Sequence, residues 1–352
     1  MRTQPCSTPA ATPIEEQLHS LGELIGNTPL LGVRCRVRGE EYTIWAKHET
    51  ANLTGSIKDR MAWHMLARAH ERGDLAPGDE VVEATSGNTG IAFASLGKAL
   101  GHPVRIYMPD WMSRERVAVI EALGATIVPI SKEQGGFVGS IEQANAYAES
   151  HPGTWRPQQF SNPDNAEVHQ LTTGPELLAQ LRSVDLIPTA FVAGVGTGGT
   201  VMGVGQALRE KVAEITIHPL EPANSPTLRT GTRAGSHRIQ GISDEFIPEL
   251  VKMDTLDALV DVDDGDAILM AQRLATELGL AVGISSGANL LGALMVARSQ
   301  GPSAVVATVF ADSNKKYLTT DLCRKEPLKD GQLSPEVDLL GFSVVGRHCC
   351  FC

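Results

Sequence analysis

Positive charge, long apolar runs and closely spaced cysteines within the body are all scarce in this 352-residue sequence, and each scarcity excludes something. Lys and Arg number 30 against 41 Asp and Glu, a formal net charge of −11. Phosphate backbones need clustered cations, so a general nucleic-acid binder is not expected. The longest apolar stretches are strand-sized, Ala304–Ala311 among them, which is too short for a membrane-crossing helix. The N-terminal MRTQPCSTPAATP has neither the apolar core of a secretory signal nor the arginine-rich amphipathic pattern of a transit peptide. The cysteines are Cys6, Cys35, Cys323, Cys349, Cys350 and Cys352. Only Cys35 and Cys323 fall within the expected folded body, far apart, so a disulfide framework is not expected and a cytoplasmic location is the simplest reading. No internal repeat of fixed period is present.

What is there is the composition of a folded chain: 42% apolar and 20% charged residues, and 35 glycines, about a tenth of the total. The length suits two domains of ordinary size or one large one. From about Leu18, strand-like and helix-like segments alternate. Strands are expected at Thr43–Lys47, Glu80–Ala84, Val104–Met108, Thr126–Ile130, Ala190–Val195, Ile215–Leu220 and Ala304–Phe310. Helices are expected at Asp59–Glu71, Gly90–Leu100, Ser113–Leu123, Ile141–Glu149, Gly174–Leu181, Val201–Lys211, Asp264–Leu278 and Asn289–Arg298. Such alternation predicts mostly parallel sheets covered by helices, and the proline-bearing connection His151–Asn165 predicts two α/β lobes.

Three glycine- and hydroxyl-rich loops follow expected strands and precede expected helices, the place where open α/β sheets bind ligands. In Ala193-Gly194-Val195-Gly196-Thr197-Gly198-Gly199-Thr200, glycines let backbone N–H groups approach an anion, and the following helix points its positive end there. This suits a phosphate. Gly194, Gly196 and Gly199 also satisfy G-x-G-x-x-G, and Glu221 stands where a ribose-binding acid would, so a dinucleotide or a plain turn remains open on this loop alone. Thr85-Ser86-Gly87-Asn88-Thr89-Gly90 offers hydroxyls and N–H groups at a helix start, which suits a carboxylate; a capped turn is the bland alternative. In Asn52-Leu53-Thr54-Gly55-Ser56-Ile57-Lys58-Asp59-Arg60, most lysines would be surface charges. Lys58, however, opens an amphipathic helix whose dipole disfavours its charge, and a neutral amine can form a Schiff base.

These loops, in this order, resemble the cysteine synthase and cystathionine β-synthase family, pyridoxal-phosphate enzymes of the tryptophan-synthase-β fold. Ser285-Ser286-Gly287, Ile25-Gly26-Asn27-Thr28-Pro29-Leu30, Gln158-Gln159-Phe160-Ser161-Asn162-Pro163, Thr173-Gly174-Pro175-Glu176 and Lys316-Tyr317-Leu318-Thr319-Thr320 fit as well, and the similarity runs from about Leu21 to Leu322. It implies an α/β fold of two three-layer lobes: a smaller mobile lobe of residues 18–29 and 52–157, and a larger cofactor-binding lobe of 30–51 and 158–330. Residues 1–17 would be a flexible tail and 331–352 a second one.

The resemblance further implies that Lys58 holds pyridoxal 5'-phosphate and acts as the catalytic base. Gly196, Thr197, Gly198, Gly199 and Thr200 would bind its phosphate, Asn88 its ring hydroxyl oxygen, and Ser285 its ring nitrogen, with Ser286 as the neighbouring alternative. Thr85, Ser86, Gly87, Thr89, Gln159 and Gly241 would hold the substrate. The implied activity is β-replacement on O-acetylserine, O-phosphoserine or serine through an α-aminoacrylate, with a thiol, sulfide or amine as nucleophile, in a homodimer. Cystathionine, cyanoalanine or 2,3-diaminopropionate formation, a serine/threonine dehydratase, and a cofactor-free protein that docks a peptide are the alternatives. No metal, nucleic acid or membrane is expected.

Three features depart from this pattern or stand outside it. Gly241-Ile242-Ser243-Asp244-Glu245-Phe246 carries two acids where O-acetylserine sulfhydrylases have Gly-Ile-Gly-Ala-Gly-Phe, which would favour an ammonium-bearing nucleophile over a small anion. His348-Cys349-Cys350-Phe351-Cys352 is expected to be an oxidisable tail rather than a metal site. His64, His169 and His218 lack ligand spacing and read as core or surface residues.

Overall fold

The computed structural model describes residues 13–242 and 245–347. In chain order the elements are α1 Pro13–Gly22, β1 Leu30–Val37, β2 Glu40–His48, α2 Lys58–Arg72, β3 Glu80–Ala84, α3 Asn88–Ala99, β4 Val104–Pro109, α4 Arg114–Ala122, β5 Thr126–Ile130, α5 Gly136–Ser150, β6 Thr154–Trp155, α6 Asp164–Val168 and α7 Gly174–Arg182. They continue with β7 Ala190–Gly194, α8 Gly199–Arg209, β8 Thr216–Pro222, α9 Thr227–Thr230, β9 Val260–Val262, α10 Asp264–Leu278, α11 Ile284–Gln300, β10 Val306–Phe310 and β11 Val337–Val345.

Two sheets result. One has the order β5-β4-β3-β6 and is parallel throughout; the other has the order β11-β1-β2-β10-β7-β8-β9. In the larger sheet β2, β10, β7, β8 and β9 are parallel neighbours, while β1 runs antiparallel to both β2 and β11. Strands buried on both faces read as continuous apolar runs, and β10, Val306–Phe310, is buried at every position. Helices α10 and α11 cover one face of the large sheet, in a core with Val192, Ile268, Leu290 and Phe310. Leu177 and Leu181 of α7 and Val204 and Leu208 of α8 cover the other. The small sheet packs on α2 and α3 through Met61, Met65, Ile91 and Phe93.

The structure corrects two expected tails. Residues 13–17 belong to α1, whose Leu18 and Leu21 are buried against α2; the rest of the expected N-terminal tail lies outside the described residues. Residues 337–345, read from sequence as part of a C-terminal tail, form β11 and pair along the whole of β1 with one register shift. The segment was misread because its outward side chains, Phe342 and Val344 among them, are apolar and exposed. It therefore shows no period-2 contrast between its two faces. The connection 151–165 is not structureless either, since β6 adds to β3 within it.

Candidate active site

The described site is built at the carboxyl ends of β2, β3, β7 and β10, where the loops of both sheets meet. After β2 the chain makes the Thr54-Gly55-Ser56 turn, with Gly55 at φ +82°. The Asp59 carboxylate fixes this turn by accepting from Thr54 N at 2.8 Å and from the Thr54 hydroxyl. Burial pushes that carboxyl up, against the hydrogen bonds from Thr54. Lys58 is thereby placed as the first residue of α2, its N–H donating to Ser56 Oγ at 3.3 Å.

After β3 the chain turns at once into α3, two residues earlier than expected from sequence, so Asn88 and Thr89 sit in the first helical turn. Thr89 Oγ1 donates to Gln159 Oε1 at 2.8 Å, and Gln159 Nε2 donates to Ala84 O at 2.8 Å. Thr85 Oγ1 accepts from Gly87 N at 3.1 Å. The hydroxyl turn is thus pre-formed. After β7 the glycine loop runs into α8, with Gly198 at φ +86° as its cap. A Cβ on Gly196 would lie 2.4 Å from Gly241 O, and one on Gly199 would lie 2.0 Å from Asn165 Oδ1. The cradle is therefore a close backbone approach that only glycine permits. Asn165 Nδ2 donates to Thr197 Oγ1 at 2.9 Å and holds that hydroxyl.

One cavity is lined by Lys58, Thr85, Ser86, Asn88, Thr89, Gln159, Gly196, Thr197, Gly198, Thr200, Gly241 and Ser285. Of the expected site residues, Gly87 and Gly199 lie behind its wall. Helix α11 begins five residues earlier than expected, which puts Ser285 in its first turn, on the cavity. Ser286 is fully buried instead, its Oγ accepting from Ala311 N at 3.1 Å. Glu221, the candidate ribose-binding acid, is buried away from the cavity and accepts from Leu228 N at 2.6 Å. The dinucleotide reading of the glycine loop loses its acid.

Tyr317 and Arg116 complete the wall, and Asp312 and His169 stand behind it. Asp312 Oδ2 accepts from Tyr317 Oη at 2.6 Å and from Asn88 Nδ2 at 2.7 Å. That fixes the amide, and Asn88 Oδ1 is buried without a partner. Tyr317 was within a recognised motif; Asp312 carried no signal of its own. Arg116 also lines the cavity, although its Arg-Glu-Arg context reads as solvated charge. His169 sits in a π turn, His169–Thr173, between α6 and α7. Its Nδ1 lies 2.8 Å from Thr173 Oγ1 and its Nε2 3.4 Å from Thr200 Oγ1. Burial first, then the Arg60 and Lys58 charges, pull the imidazole down to about 3.

Behind Lys58 lies a buried ion cluster. Arg60 is bidentate to Glu49, at 2.7 and 2.9 Å, and bidentate to Glu176, at 2.7 Å on both arms. Lys47 Nζ adds 2.7 Å contacts to Glu176 and to Thr28 O. Burial pushes the Glu49 carboxyl up, but Arg60, Lys47 and Thr28 outweigh it and hold it at about 2.

Of the acidic segment, Asp244 lies outside the described residues. Glu245 is ion-paired with Arg233 at 2.5 Å, so its charge is compensated within the protein. His218 is buried and bonded to Ala258 O, and His64 meets Glu167 at 2.7 Å. The Cys-rich C-terminus lies outside the described residues.

The donor set fits a phosphorylated cofactor held through an amine: a glycine cradle, an aligned helix start, a lysine and a buried amide oxygen without a partner, all on one cavity. The family model for pyridoxal-phosphate dependent enzymes matches residues 21–312. The chain belongs to this family. Its relatives include a probable cysteine synthase of Bacillus subtilis, 40% identical over 300 residues, covering 85% of this chain and 96% of that protein. A hydrogen sulfide-producing enzyme of Fusobacterium nucleatum is 52% identical, with TM-score 0.90, over 93% of this chain and 99% of that one. An O-acetylserine dependent cystathionine β-synthase of Helicobacter pylori is 32% identical, with TM-score 0.78, over 88% and 98%. The pyridoxal-phosphate enzyme is thus cysteine synthase-like in sequence and fold.

Proposed function

We propose that this pyridoxal-phosphate enzyme replaces the β-substituent of a serine-type amino acid. The convergence of Lys58, the Thr85–Thr89 turn and the Gly196–Thr200 cradle on one cavity carries the reading. Pyridoxal phosphate, when bound, supplies an electron sink that loosens the Cα–H bond and then the β-substituent. Lys58 Nζ holds the cofactor and takes the proton from Cα as general base. Gly196, Thr197, Gly198 and Thr200 would hold the phosphate, with Gly199 shaping the loop behind them, and Asn88 would orient the ring. Ser285 would offer the ring nitrogen a hydroxyl, which would stabilise a protonated ring less than a carboxylate and so favour prompt elimination. Thr85, Ser86, Thr89 and Gln159 grip the α-carboxylate, with Gly87 shaping the turn behind them, and Gly241 lines the substrate side of the cavity. Because this grip sits on the small sheet, substrate binding draws that sheet toward the large one and excludes water.

The first substrate in this reading is O-acetylserine, O-phosphoserine or serine, and the nucleophile a sulfide, thiol or amine. A second reading takes cysteine as the amino acid and releases sulfide; it is favoured by the 52% identity to the Fusobacterium nucleatum hydrogen sulfide-producing enzyme. A homodimer and a reducing compartment belong to the same reading; the compartment is supported by Cys35 and Cys323, both free thiols among the described residues. The deciding experiment titrates the holoenzyme with serine, O-acetylserine, O-phosphoserine and cysteine, following cofactor absorbance, then adds sulfide or homocysteine and identifies products by mass spectrometry. A substituted amino acid supports the proposal. Pyruvate and ammonia alone, with every nucleophile, would replace it by a dehydratase.

A further inference from the structure

Arg116 is 2% exposed, yet lines the cavity that holds Lys58 and Asn88. The buried Arg60 is ion-paired with Glu49 and Glu176, and the largely covered Arg156 with Glu83. Arg116 has no carboxylate partner among the described residues. Its guanidinium stands 4.6 Å over the Tyr317 ring, its Nη1 donates to Gln240 Oε1, and its Nε is buried with no hydrogen-bond partner. An aromatic face and a neutral amide offset only part of the cost of taking a cation out of water.

The surroundings are shaped to admit this side chain. A Cβ on Gly87 would lie 2.4 Å from Arg116 Cδ and 2.5 Å from Arg116 Nε, so the arginine in this position packs directly against the glycine of the hydroxyl turn. The first turn of α4 is tied down by Ser113 Oγ, which donates to Lys316 O at 3.0 Å, and by Glu115, which accepts from Thr319 N at 2.7 Å. The arginine therefore stands between the hydroxyl turn and the entrance segment Gln240–Ile242. There a second cavity, lined by Ser86, Phe137, Gln240 and Arg233, adjoins the first.

The proposed reaction brings three anionic groups to this cavity. The cofactor phosphate has the glycine cradle, and the α-carboxylate has the Thr85–Thr89 turn. We propose that Arg116 binds the third: the small anion that leaves Cβ or arrives there, an acetate, a phosphate or a hydrosulfide. When the Cβ–X bond breaks, its electron pair goes to X while the pair left by the Cα proton, taken by Lys58, forms the Cα=Cβ bond, and Arg116 stabilises the departing X⁻ through N–H donors without giving up a proton. In the second half-reaction the same donors hold hydrosulfide while its sulfur supplies the electron pair to Cβ, the double-bond pair returns to Cα, and Lys58 gives its proton back to Cα.

This inference rests on the β-replacement reading, and its test separates the two. The holoenzyme is compared with Arg116→Gln and Arg116→Lys. Serine, which carries no anionic β-substituent, is titrated by cofactor absorbance; its Kd is expected to stay within twofold in Arg116→Gln. In the leaving-group arm, the first-half rate with O-acetylserine or O-phosphoserine is expected to fall at least tenfold. In the nucleophile arm, KM for sulfide is expected to rise at least tenfold. Arg116→Lys is expected to recover most of either loss. The arm that moves identifies the source of the anion. A serine Kd that weakens in step with the other constants overturns the proposal, since Arg116 would then belong to the α-carboxylate grip; so does an Arg116→Gln enzyme within twofold of wild type in both arms. Wild-type enzyme supplies a readout that needs no variant: thiocyanate should inhibit competitively against sulfide and not against the amino acid, and indifference to thiocyanate overturns the assignment. A wild type that forms no replacement product with any pair of substrates refutes the parent reading before any variant is made.

Discussion

Replacing Arg60 by Gln is expected to destabilise the protein severely, and replacing Glu49 by Gln in the same chain to restore part of the loss. The cluster Lys47, Arg60, Glu49 and Glu176 is balanced in charge, and the side chains of Lys47, Arg60 and Glu49 are at most 1% exposed. Arg60→Gln removes four short charge-assisted hydrogen bonds and leaves two buried carboxylates against one ammonium. Breaking a buried pair on one side costs about 3–5 kcal/mol. At an m-value of about 3 kcal/mol/M, that shifts the urea midpoint by about 1 to 1.7 M. In the double variant Glu49→Gln/Arg60→Gln, Lys47 and Glu176 remain as a neutral pair, so the loss is smaller than in Arg60→Gln alone.

The pH dependence carries a sign. In wild type the Glu49 carboxyl is held at about 2, below its unfolded value near 4.3. Its contribution is therefore present above about pH 4.3 and is lost as pH falls toward 2. Without Arg60, burial dominates and raises that carboxyl, so the variant's deficit shrinks in acid. The assay is urea denaturation followed by far-UV circular dichroism at pH 7 and pH 5. An Arg60→Gln deficit under about 1 kcal/mol, or a double variant less stable than the single, would refute the reasoning.

Lys58→Ala should leave no covalently held cofactor after borohydride reduction and mass spectrometry; attachment at another lysine would refute the assignment. Gly196→Ala, whose Cβ would stand 2.4 Å from Gly241 O, should weaken cofactor affinity at least tenfold by equilibrium dialysis, because both contacting groups are backbone. Ser286→Ala should lower stability by about 1 kcal/mol through the lost bond to Ala311 N while leaving the cofactor spectrum unchanged; Ser285→Ala should do the reverse, and a common effect of both would undo the distinction. His169 titrates at about 3 in the fold against 6.5 unfolded. The unfolded chain therefore binds the extra proton between those values, and stability falls with falling pH across that window by about 1.4 kcal/mol per unit. His169→Asn should flatten this slope, measured by thermal melts at pH 4 to 6.

The loops of the site were legible because their chemistry is local. A glycine cradle before a helix and a hydroxyl turn before a helix are short-range patterns, and Lys58, Asn88 and Thr197 all open onto the cavity, as does Ser285, which only the family resemblance pointed to. Element ends were less legible. Helix α3 starts at Asn88 rather than Gly90, and α11 at Ile284 rather than Asn289, because small residues in a first turn carry little periodic signal. What could not be read was tertiary. Arg116 looks like a solvated charge until the chain folds Gly87 over it, and Arg60 looks like the polar face of a helix until Glu49 and Glu176 close on it. Strand β11 was hidden for a related reason: its alignment with β1 is a pairing across some 300 residues of chain, and nothing in its own pattern announces a buried face.

Helix α2 shows why the lysine and the ion cluster belong to one device. Successive side chains on a helix are about 100° apart, so Lys58 and Arg60 point roughly 160° away from each other. One turns to the cavity and the other into the cluster formed with β2 and α7. Met61, Ala62, Met65 and Leu66 hold a third face of the same helix in the small-sheet core. The helix is thus anchored to the large sheet by charge at its first turn and to the small sheet by apolar packing beyond it.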